Sequence, residues 1–153
     1  MKYIQLTQNK KTIVDDEDYE RLSKRTWYYA NGYACQKTLY SKNRDRKIIL
    51  MQKVIMNADK KTLIDHINRD KLDNRKSNLR TATHGQNNIN GKIRYDNTSG
   101  YRGVSFQKKW NKWVAMIKVN GKHIYLGGYT NPLEASRAYE NASRKYFGGF
   151  TNV

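Results

Sequence analysis

The chain has 153 residues, a formal net charge of +17 and one cysteine, Cys35. A single cysteine excludes an internal disulfide and a zinc site built from several thiolates, and no apolar run approaches the ~18 residues of a membrane helix. The charge is spread along the chain, since residues 1–90 carry 19 − 10 = +9 and residues 91–153 carry 11 − 3 = +8. This distribution favours a long polyanion over a small acidic ligand, and the lack of an apolar leader predicts a cytoplasmic protein.

The first part of the chain predicts short strands with two helices. Acidic residues followed by basic ones predict a helix over 15–24, because that order suits the helix dipole. Asn31-Gly32 between aromatic runs predicts a tight hairpin turn, and a short helix is expected over 52–56. Strands are predicted over residues 3–7, 11–14, 34–40 and 47–51, the last two joined by a charged turn over 41–46.

The chain beyond residue 80 predicts a helix over about 80–90, a small polar linker and then a sheet with a final helix. Asn131 can cap that final helix, with Pro132 at its first position and Gly148-Gly149 at its end. Alanines at helical spacing let the helix lie close to the sheet. The strands are predicted over residues 103–106, 113–119 and 123–127.

Asp65-His66 is the most informative pair in the chain, because side-chain amides follow it at Asn78 and Asn87. A carboxylate oxygen can bind Mg²⁺, and an imidazole that titrates near neutrality can accept a proton from water. Each residue alone is weak evidence, since an Asp-His pair is more often an ordinary surface pair. Many Asn and Asp residues predict a hydrogen-bonded loop around the pair. Together these residues predict one metal and one general base at a phosphodiester.

Residues from about 50 to 90 resemble the HNH homing endonucleases, the ββα-metal nucleases found in phage introns. The matching residues are Ile64-Asp65-His66-Ile67-Asn68, Leu72-Asp73-Asn74-Arg75, Ser77-Asn78-Leu79-Arg80, Ala82-Thr83 and Gln86-Asn87. The resemblance implies His66 as general base and Asp65 with Asn87 as ligands of one Mg²⁺ (or Mn²⁺) per active site. It implies Asn78 as the structural member of the motif. It also implies that the protein is found in the cytoplasm of a bacterial or phage-infected cell.

Gln52 departs from this family, which usually has His-Arg where the chain has Gln52-Lys53. Glutamine is neither an acid, a base nor a cation, so the change predicts an altered role at the phosphate and reduced activity. This departure supports the alternative of a catalytically inactive, sequence-specific DNA-binding protein of regulatory or architectural kind. RNA binding is a third possibility that the tyrosine content permits.

Residues from about 97 to 153 resemble the ethylene-response-factor (APETALA-type) DNA-binding domain of plant transcription factors. The matching residues are Tyr101-Arg102-Gly103-Val104, Trp110-Asn111-Lys112-Trp113-Val114-Ala115, Ile124-Tyr125-Leu126-Gly127 and Glu134-Ala135-Ser136-Arg137-Ala138-Tyr139. The resemblance implies a three-stranded antiparallel sheet on one helix, with the sheet in the major groove. It places at DNA-facing positions Arg102, Gln107, Trp110, Lys112, Lys118, His123 and Tyr125. Lys109 is predicted to contact phosphate, and Ser105 replaces the usual Arg, so the base preference is not inherited.

The sequence therefore predicts an α+β protein with an HNH nuclease module over 1–90, a linker over 91–100 and an ethylene-response-factor-like domain over 101–153. The predicted activity is metal-dependent nicking of duplex DNA by a sequence-specific endonuclease. The predicted partner is double-stranded DNA, bound by a monomer or weak dimer, without a membrane or a small-molecule cofactor.

Overall fold

The structure, a computed structural model, describes residues 1–37 and 47–151. The chain divides into two compact units, Met1–Ala82 and Thr83–Val153, and both contain helices and strands. The predicted α+β class is therefore confirmed. The units divide earlier than the predicted linker over 91–100, and the assignment of 1–90 to one module stays a prediction.

The first unit is built from small antiparallel sheets. Its elements are β1 (Lys2–Gln5), β2 (Lys11–Val14), α1 (Asp16–Ser23), β3 (Tyr28–Ala30), β4 (Tyr33–Lys37), β5 (Ile48–Leu50), α2 (Met51–Ile55), β6 (Leu63–His66) and β7 (Leu79–Ala82). β1 pairs with β2, β4 lies between β3 and β5, and β6 pairs with β7. The Asn31-Gly32 turn is confirmed, with φ of 51° and 90°. Residues 38–40 of the predicted strand and the predicted turn over 41–46 lie outside the described residues.

The core of the first unit joins the helices to the strands. Trp27 is buried and donates its indole N–H to the carbonyl of Leu22 at 2.9 Å. Each large apolar side chain buried in this way stabilises the fold by roughly 1.5–3 kcal/mol. The buried cluster contains Ile4, Leu6, Val14, Leu22, Trp27, Ala34, Met51, Ile55 and Leu79.

The second unit is a three-stranded antiparallel sheet with two helices. Its elements are α3 (His84–Asn90), β8 (Val104–Gln107), β9 (Lys112–Val119), β10 (Lys122–Tyr129) and α4 (Pro132–Phe147). The strand order is β10-β9-β8. Asn131 caps α4 by accepting a hydrogen bond from the Leu133 N–H at 2.8 Å. Gly148 follows the helix with a φ of 52°, so both predicted ends of α4 are confirmed.

Helix α4 and alternate residues of β9 form the core of the second unit. Ala115 and Ile117 of β9 are buried with Ala135 and Tyr139 of α4, whereas Met116 between them is exposed. Alternate side chains of a strand point to opposite faces, so one face of the sheet is covered by α4. Ile89 of α3 joins the same core, which makes α3 part of the second unit.

Two sequence predictions were wrong around the Asp-His pair. A loop was predicted, but Leu63–His66 and Leu79–Ala82 pair as the antiparallel strands β6 and β7. The helix predicted from about residue 80 begins only at His84, because Thr83 forms a capping box with Gln86. The turn between the two strands is rich in Asn and Asp, and this composition led to the prediction of a loop over the short strands as well. In the described part of the chain, no helix combines the length and apolar character needed to cross a membrane.

Gly103 is predicted to tolerate no side chain. Its φ is +67°, and an added Cβ would lie 2.1 Å from a Tyr139 ring carbon and 2.7 Å from the Met116 carbonyl oxygen. Gly103→Ala should lower the free energy of unfolding by about 2–5 kcal/mol, combining left-handed strain with overpacking. Urea unfolding of the purified variant measures the loss.

Gly121→Ala is the matched control. Gly121 has a φ of +82°, but no atom of the described residues lies within 4 Å of an added Cβ. This variant should lose only the conformational cost, roughly 1 kcal/mol. Equal losses in the two variants would show that the close approach to Tyr139 contributes nothing.

Candidate functional site

Asp65 lies on β6 directly opposite Arg80 of β7. The Arg80 Nε donates to the Asp65 Oδ2 at 2.9 Å, and the second guanidinium nitrogen lies at 2.9 Å from the same oxygen. The Asp65 residue is only 5 % exposed. A buried carboxylate requires a partner of opposite charge, and the arginine supplies it.

His66 lies in a chain of buried hydrogen bonds. Its Nε2 lies 3.2 Å from the Asn74 Oδ1, and the Asn74 Nδ2 donates to the Thr12 hydroxyl at 2.8 Å. The Thr12 hydroxyl in turn donates to the Leu72 carbonyl at 2.7 Å. Because the Asn74 amide donates to Thr12, its oxygen is the acceptor toward the imidazole, which assigns a proton to Nε2. Burial lowers the pKa of His66, although hydrogen bonding to Asn74 and nearby carboxylates oppose the shift.

Asn78 closes the turn that joins β6 to β7. Its side-chain N–H donates to the Asp73 carbonyl at 2.8 Å, and its Oδ1 accepts from the Asn68 backbone N–H at 2.9 Å. Asp73 is itself held by both Nε and a terminal nitrogen of Arg75, at 2.7 and 2.6 Å. This hydrogen bonding to Arg75 is the main reason that the pKa of Asp73 is lowered. The polar groups of Asn78 and Asp73 are therefore hydrogen-bonded within the turn itself.

Asn87 lies on α3 of the second unit and its side chain is exposed, whereas Asp65 and His66 belong to the first unit. Arg80 contacts the Asp65 Oδ2, and a second cation beside a guanidinium is electrostatically unfavourable. With its Oδ2 on Arg80, Asp65 does not offer a free carboxylate pair to a metal ion. Binding of Mg²⁺ or Mn²⁺ therefore stays a prediction.

Asp15, Glu17 and Asp18 are the acidic groups that lie close enough together to share a cation, within 4.8 Å, in the described ranges 1–37 and 47–151. Lys76 already contacts all three, with its backbone N–H on Asp15 at 2.7 Å and its Nζ at 2.6 Å from Glu17 and 3.4 Å from Asp18. The pKa of Lys76 is raised, chiefly by its hydrogen bond to Glu17. This cluster ties α1 to the turn before β7.

Gln52, the residue that departs from the nuclease pattern, is 2 % exposed on α2. Its Oε1 has no hydrogen-bond partner among residues 1–37 and 47–151. A buried acceptor left without a donor costs about 1–3 kcal/mol. Nothing in the described contacts of Gln52 explains why this cost is tolerated.

The face of the second unit's sheet that α4 does not cover is polar, cationic and aromatic. We call it the outer face, and its side chains that are not buried are Ser105, Gln107, Lys112, Met116, Lys118, His123 and Tyr125. Val114 occupies a position on the same face but is buried. The register pairs Lys118 with His123, Met116 with Tyr125 and Lys112 with Gln107 across the strands. Tyr125 is 59 % exposed. The structure thus brings together five of the predicted DNA-facing residues on one surface.

Lys109 and Trp110 lie on a turn of 3₁₀ helix, Lys108–Trp110, between β8 and β9. Both side chains are exposed, and Trp110 is 58 % exposed. Asn111 ends this turn with a left-handed φ of 49°. These two predicted residues therefore lie beside the outer face rather than on it, since the turn leaves the sheet after Gln107.

Arg102 differs from the other predicted DNA-facing residues because its guanidinium contacts α3. It donates to the Asn88 carbonyl at 2.9 Å and to the Gly91 carbonyl. Cations at a helix C-terminus satisfy otherwise unbonded carbonyls and interact well with the helix dipole. Sequence reasoning missed this contact, because Arg102 lies 11 residues after Gly91 and no local pattern connects the two.

The second unit carries the match to known proteins. A family model described as an AP2 domain matches residues 99–149, which supports the predicted ethylene-response-factor-like domain. Similar proteins include APETALA2-like protein 2 of Oryza sativa subsp. indica, 41 % identical over 51 residues, which are 33 % of this chain and 12 % of that protein. Dehydration-responsive element-binding protein 2A of the same rice is 42 % identical over 55 residues, which are 35 % of this chain and 20 % of that protein.

The relatives are much longer than the matching segment. Dehydration-responsive element-binding protein 2D of Arabidopsis thaliana is 37 % identical over 78 residues, which are 49 % of this chain and 37 % of that protein. The chain thus spans well under two thirds of these relatives. A second family model, described as an HNH endonuclease, matches residues 58–89. No solved structure matches the chain.

The prediction of a metal-dependent endonuclease is wrong in the light of these comparisons. The similar proteins are named as APETALA2-like and element-binding proteins, not as enzymes, and they do not support the short match over 58–89. The site geometry gives a physical reason, because Arg80 neutralises Asp65 and Asn74 holds the His66 ring. The ββα nuclease module is likewise not confirmed.

Acidification should destabilise the first unit through His66. The pKa of His66 is lower in the folded chain than in the unfolded chain, so His66 binds a proton more readily when the chain is unfolded. The stability that is present above the ordinary pKa of 6.5 is therefore lost as the pH falls toward the folded pKa. Urea unfolding at about pH 7.5 and about pH 5 should show this loss in the parent. His66→Gln should be less stable at the higher pH by about 1–3 kcal/mol and show a smaller loss on acidification.

His123→Gln is the control for this pH dependence, because His123 is exposed on the outer face. It should keep the parental pH slope. A parental slope in His66→Gln would show that another group causes the acid sensitivity.

Gln52→Met should stabilise the first unit. The substitution keeps the side-chain length and removes the acceptor that has no partner, so the free energy of unfolding should rise by about 1–2 kcal/mol. Asn74→Leu is the matched contrast, because both the nitrogen and the oxygen of the Asn74 amide are hydrogen-bonded. This variant should lower the free energy of unfolding by about 2–4 kcal/mol. Destabilisation by Gln52→Met would show that the amide makes a useful contact.

Proposed function

We propose that this chain is a sequence-specific DNA-binding protein of regulatory or architectural kind. The single observation that carries the proposal is the outer face, where seven neighbouring side chains are left uncovered while α4 packs the opposite face. The AP2 match over residues 99–149 supports it. So do relatives whose printed names describe them as element-binding proteins.

The outer face has the chemistry needed to read the major groove, which is about 12 Å wide and admits a sheet of this size. Gln107 offers a donor and an acceptor on one amide, the pair that adenine presents. Lys118 and Lys112 can donate to guanine acceptors or to phosphates. Tyr125 offers a ring edge and a hydroxyl, so apolar contact and hydrogen bonding are available at neighbouring positions.

Lys109 and Trp110 fit a different role, because they lie on the turn beside the sheet. An exposed lysine on a turn suits a phosphate, which fixes orientation without reading sequence. An exposed indole beside it can pack against a sugar. Arg102 holds α3 in place through its carbonyl contacts and supports the domain that carries the outer face.

We propose that the chain retains nuclease-like element order over residues 63–90 without hydrolysis. β6, β7 and α3 follow one another along the chain in the order of a ββα module, and the short match over 58–89 agrees with that order. In this proposal Asp65 and His66 are structural residues, bonded to Arg80 and Asn74.

The test is selection of bound sequences from a randomised pool of duplex DNA, followed by titration of the enriched duplex and a scrambled one. Lys118→Ala should weaken binding to the enriched duplex by about 5- to 150-fold and reduce the preference over scrambled DNA, because a good base contact contributes roughly 1–3 kcal/mol. Tyr125→Ala should act in the same direction.

Lys122→Ala is the matched control, because it removes the same charge from the same hairpin. Lys122 pairs with Val119 and does not belong to the outer face. It should leave the sequence preference unchanged. Failure of the pool to enrich any motif, or an equal loss of preference in Lys122→Ala, would contradict reading by the outer face. Tighter binding to single-stranded RNA than to duplex DNA would favour the RNA alternative.

A further inference from the structure

The outer face has an apolar pair of side chains among its polar residues. Met116 of β9 lies directly opposite Tyr125 of β10 in the strand register. Their exposed fractions are 38 % and 59 %, so both side chains present apolar surface to solvent. Residues directly opposite on antiparallel strands have Cβ atoms about 4.5–5.5 Å apart. Met116 and Tyr125 therefore form one continuous surface, which we call the apolar row, and Lys118 and His123 form the polar pair beside it.

A β-bulge in β10 determines what lies on the other side of the apolar row. The register shifts by one residue after Tyr125, so that the pairing of β10 with β9 passes over Leu126. Without this extra residue, simple alternation would place Gly127 on the outer face. With it, Gly128 lies opposite Val114. The outer-face position next to Tyr125 on β10 is therefore occupied by a residue without a side chain.

Gly128 leaves room for the Tyr125 ring. A Cβ added at Gly128 would lie 3.1 Å from the Tyr125 hydroxyl oxygen and 3.3 Å from the Lys112 Cδ. The tyrosine side chain therefore extends along β10 toward Lys112 instead of standing straight out from the sheet. Val114, which lies opposite Gly128, is buried although it occupies a position on the same face. An apolar floor at Val114 thus continues the surface of the apolar row.

An apolar surface at the centre of a groove-reading face has a specific counterpart on the DNA bases. In the major groove the base edges present hydrogen-bond donors and acceptors, and thymine adds a C5-methyl group. Methionine is unbranched and polarizable, so its side chain adapts to a small apolar group. The amide and ammonium groups elsewhere on the outer face gain nothing from a methyl group. The chemistry of the apolar row therefore matches thymine.

We propose that Met116 and Tyr125 read the C5-methyl group of a thymine, which makes them specificity-determining residues of the outer face. This inference rests on the proposed function, because it requires the outer face to lie in the major groove. It goes further by naming the base that the centre of the face prefers. A methyl group is uncharged, so salt does not screen this contact as it screens lysine contacts to phosphates.

The test removes the methyl group without changing the base pairing. Duplexes are selected from a randomised pool of unmodified DNA, in which thymine is the only base that carries a C5-methyl group. Each thymine of the enriched motif is then replaced in turn by deoxyuridine, and the dissociation constant of the whole chain is measured. At one or two positions the parent should bind the deoxyuridine duplex roughly three- to fivefold more weakly, the effect of losing one buried methyl group.

Met116→Ala should bind the thymine and deoxyuridine duplexes equally well at those positions, because the side chain that contacts the methyl group is truncated. Met116→Leu keeps an apolar side chain of similar volume and should retain most of the parental ratio. Leu133→Ala is the matched control, since Leu133 is 43 % exposed on α4, outside the outer face. It removes exposed apolar surface and should leave the ratio unchanged. Thermal unfolding of each variant checks that the domain still folds.

Four results would overturn the inference and leave sequence-specific binding intact. They are an enriched motif without thymine, a ratio near one at every thymine in the parent, a parental ratio in Met116→Ala, and a ratio lost in Leu133→Ala as well. If Met116→Ala does not fold, the deoxyuridine series on the parent and on Met116→Leu still decides. A pool that enriches no motif would contradict the proposed function itself and the inference with it, so the two failures are distinguishable.

Discussion

The alternation of side chains along β9 is the constraint on which the proposed DNA interface depends. Ala115 and Ile117 are committed to the core with α4, so Met116 and Lys118 must lie on the opposite face. A one-residue slip of register would exchange the two sets and bury a lysine. The small residues of α4, Ala135 above all, allow close packing of the helix, and that packing fixes the register. Recognition is therefore a consequence of how the core is filled.

The first unit buries several of its polar residues, whereas the second unit exposes them on the outer face. Asp65, His66 and Asn78 are buried and bonded to protein groups, and Arg80 supplies the charge that Asp65 needs. Such a network makes the turn between β6 and β7 well defined, because each broken contact would leave a buried polar group without a partner. The same residue types can serve a metal and a base, so residue identity alone does not separate a catalytic motif from a structural one. The residue that contacts the carboxylate distinguishes the two kinds of motif, and for Asp65 that residue is Arg80.

The sequence predicted local structure well where turn chemistry decides it. Asn31-Gly32, Asn131-Pro132 and Gly148 each determine a turn or a helix end through their own backbone preferences. It predicted poorly where distant residues decide. The Asp65–Arg80 pair depends on strand register across 15 residues, and the Arg102 contact depends on where α3 ends. Five of the residues that the family resemblance placed toward DNA do share the outer face.

In the proposed function, affinity and specificity have different physical sources. A positive charge of +17 spread over 153 residues attracts any nucleic acid, so charge cannot by itself select a sequence. Selection requires groups of fixed geometry, and those on the outer face are held by β-sheet pairing. Lysine contacts to phosphates contribute binding free energy that falls with salt, whereas amide and aromatic contacts are much less sensitive to salt. Specificity should therefore increase as salt rises, because the sequence-independent contribution weakens first.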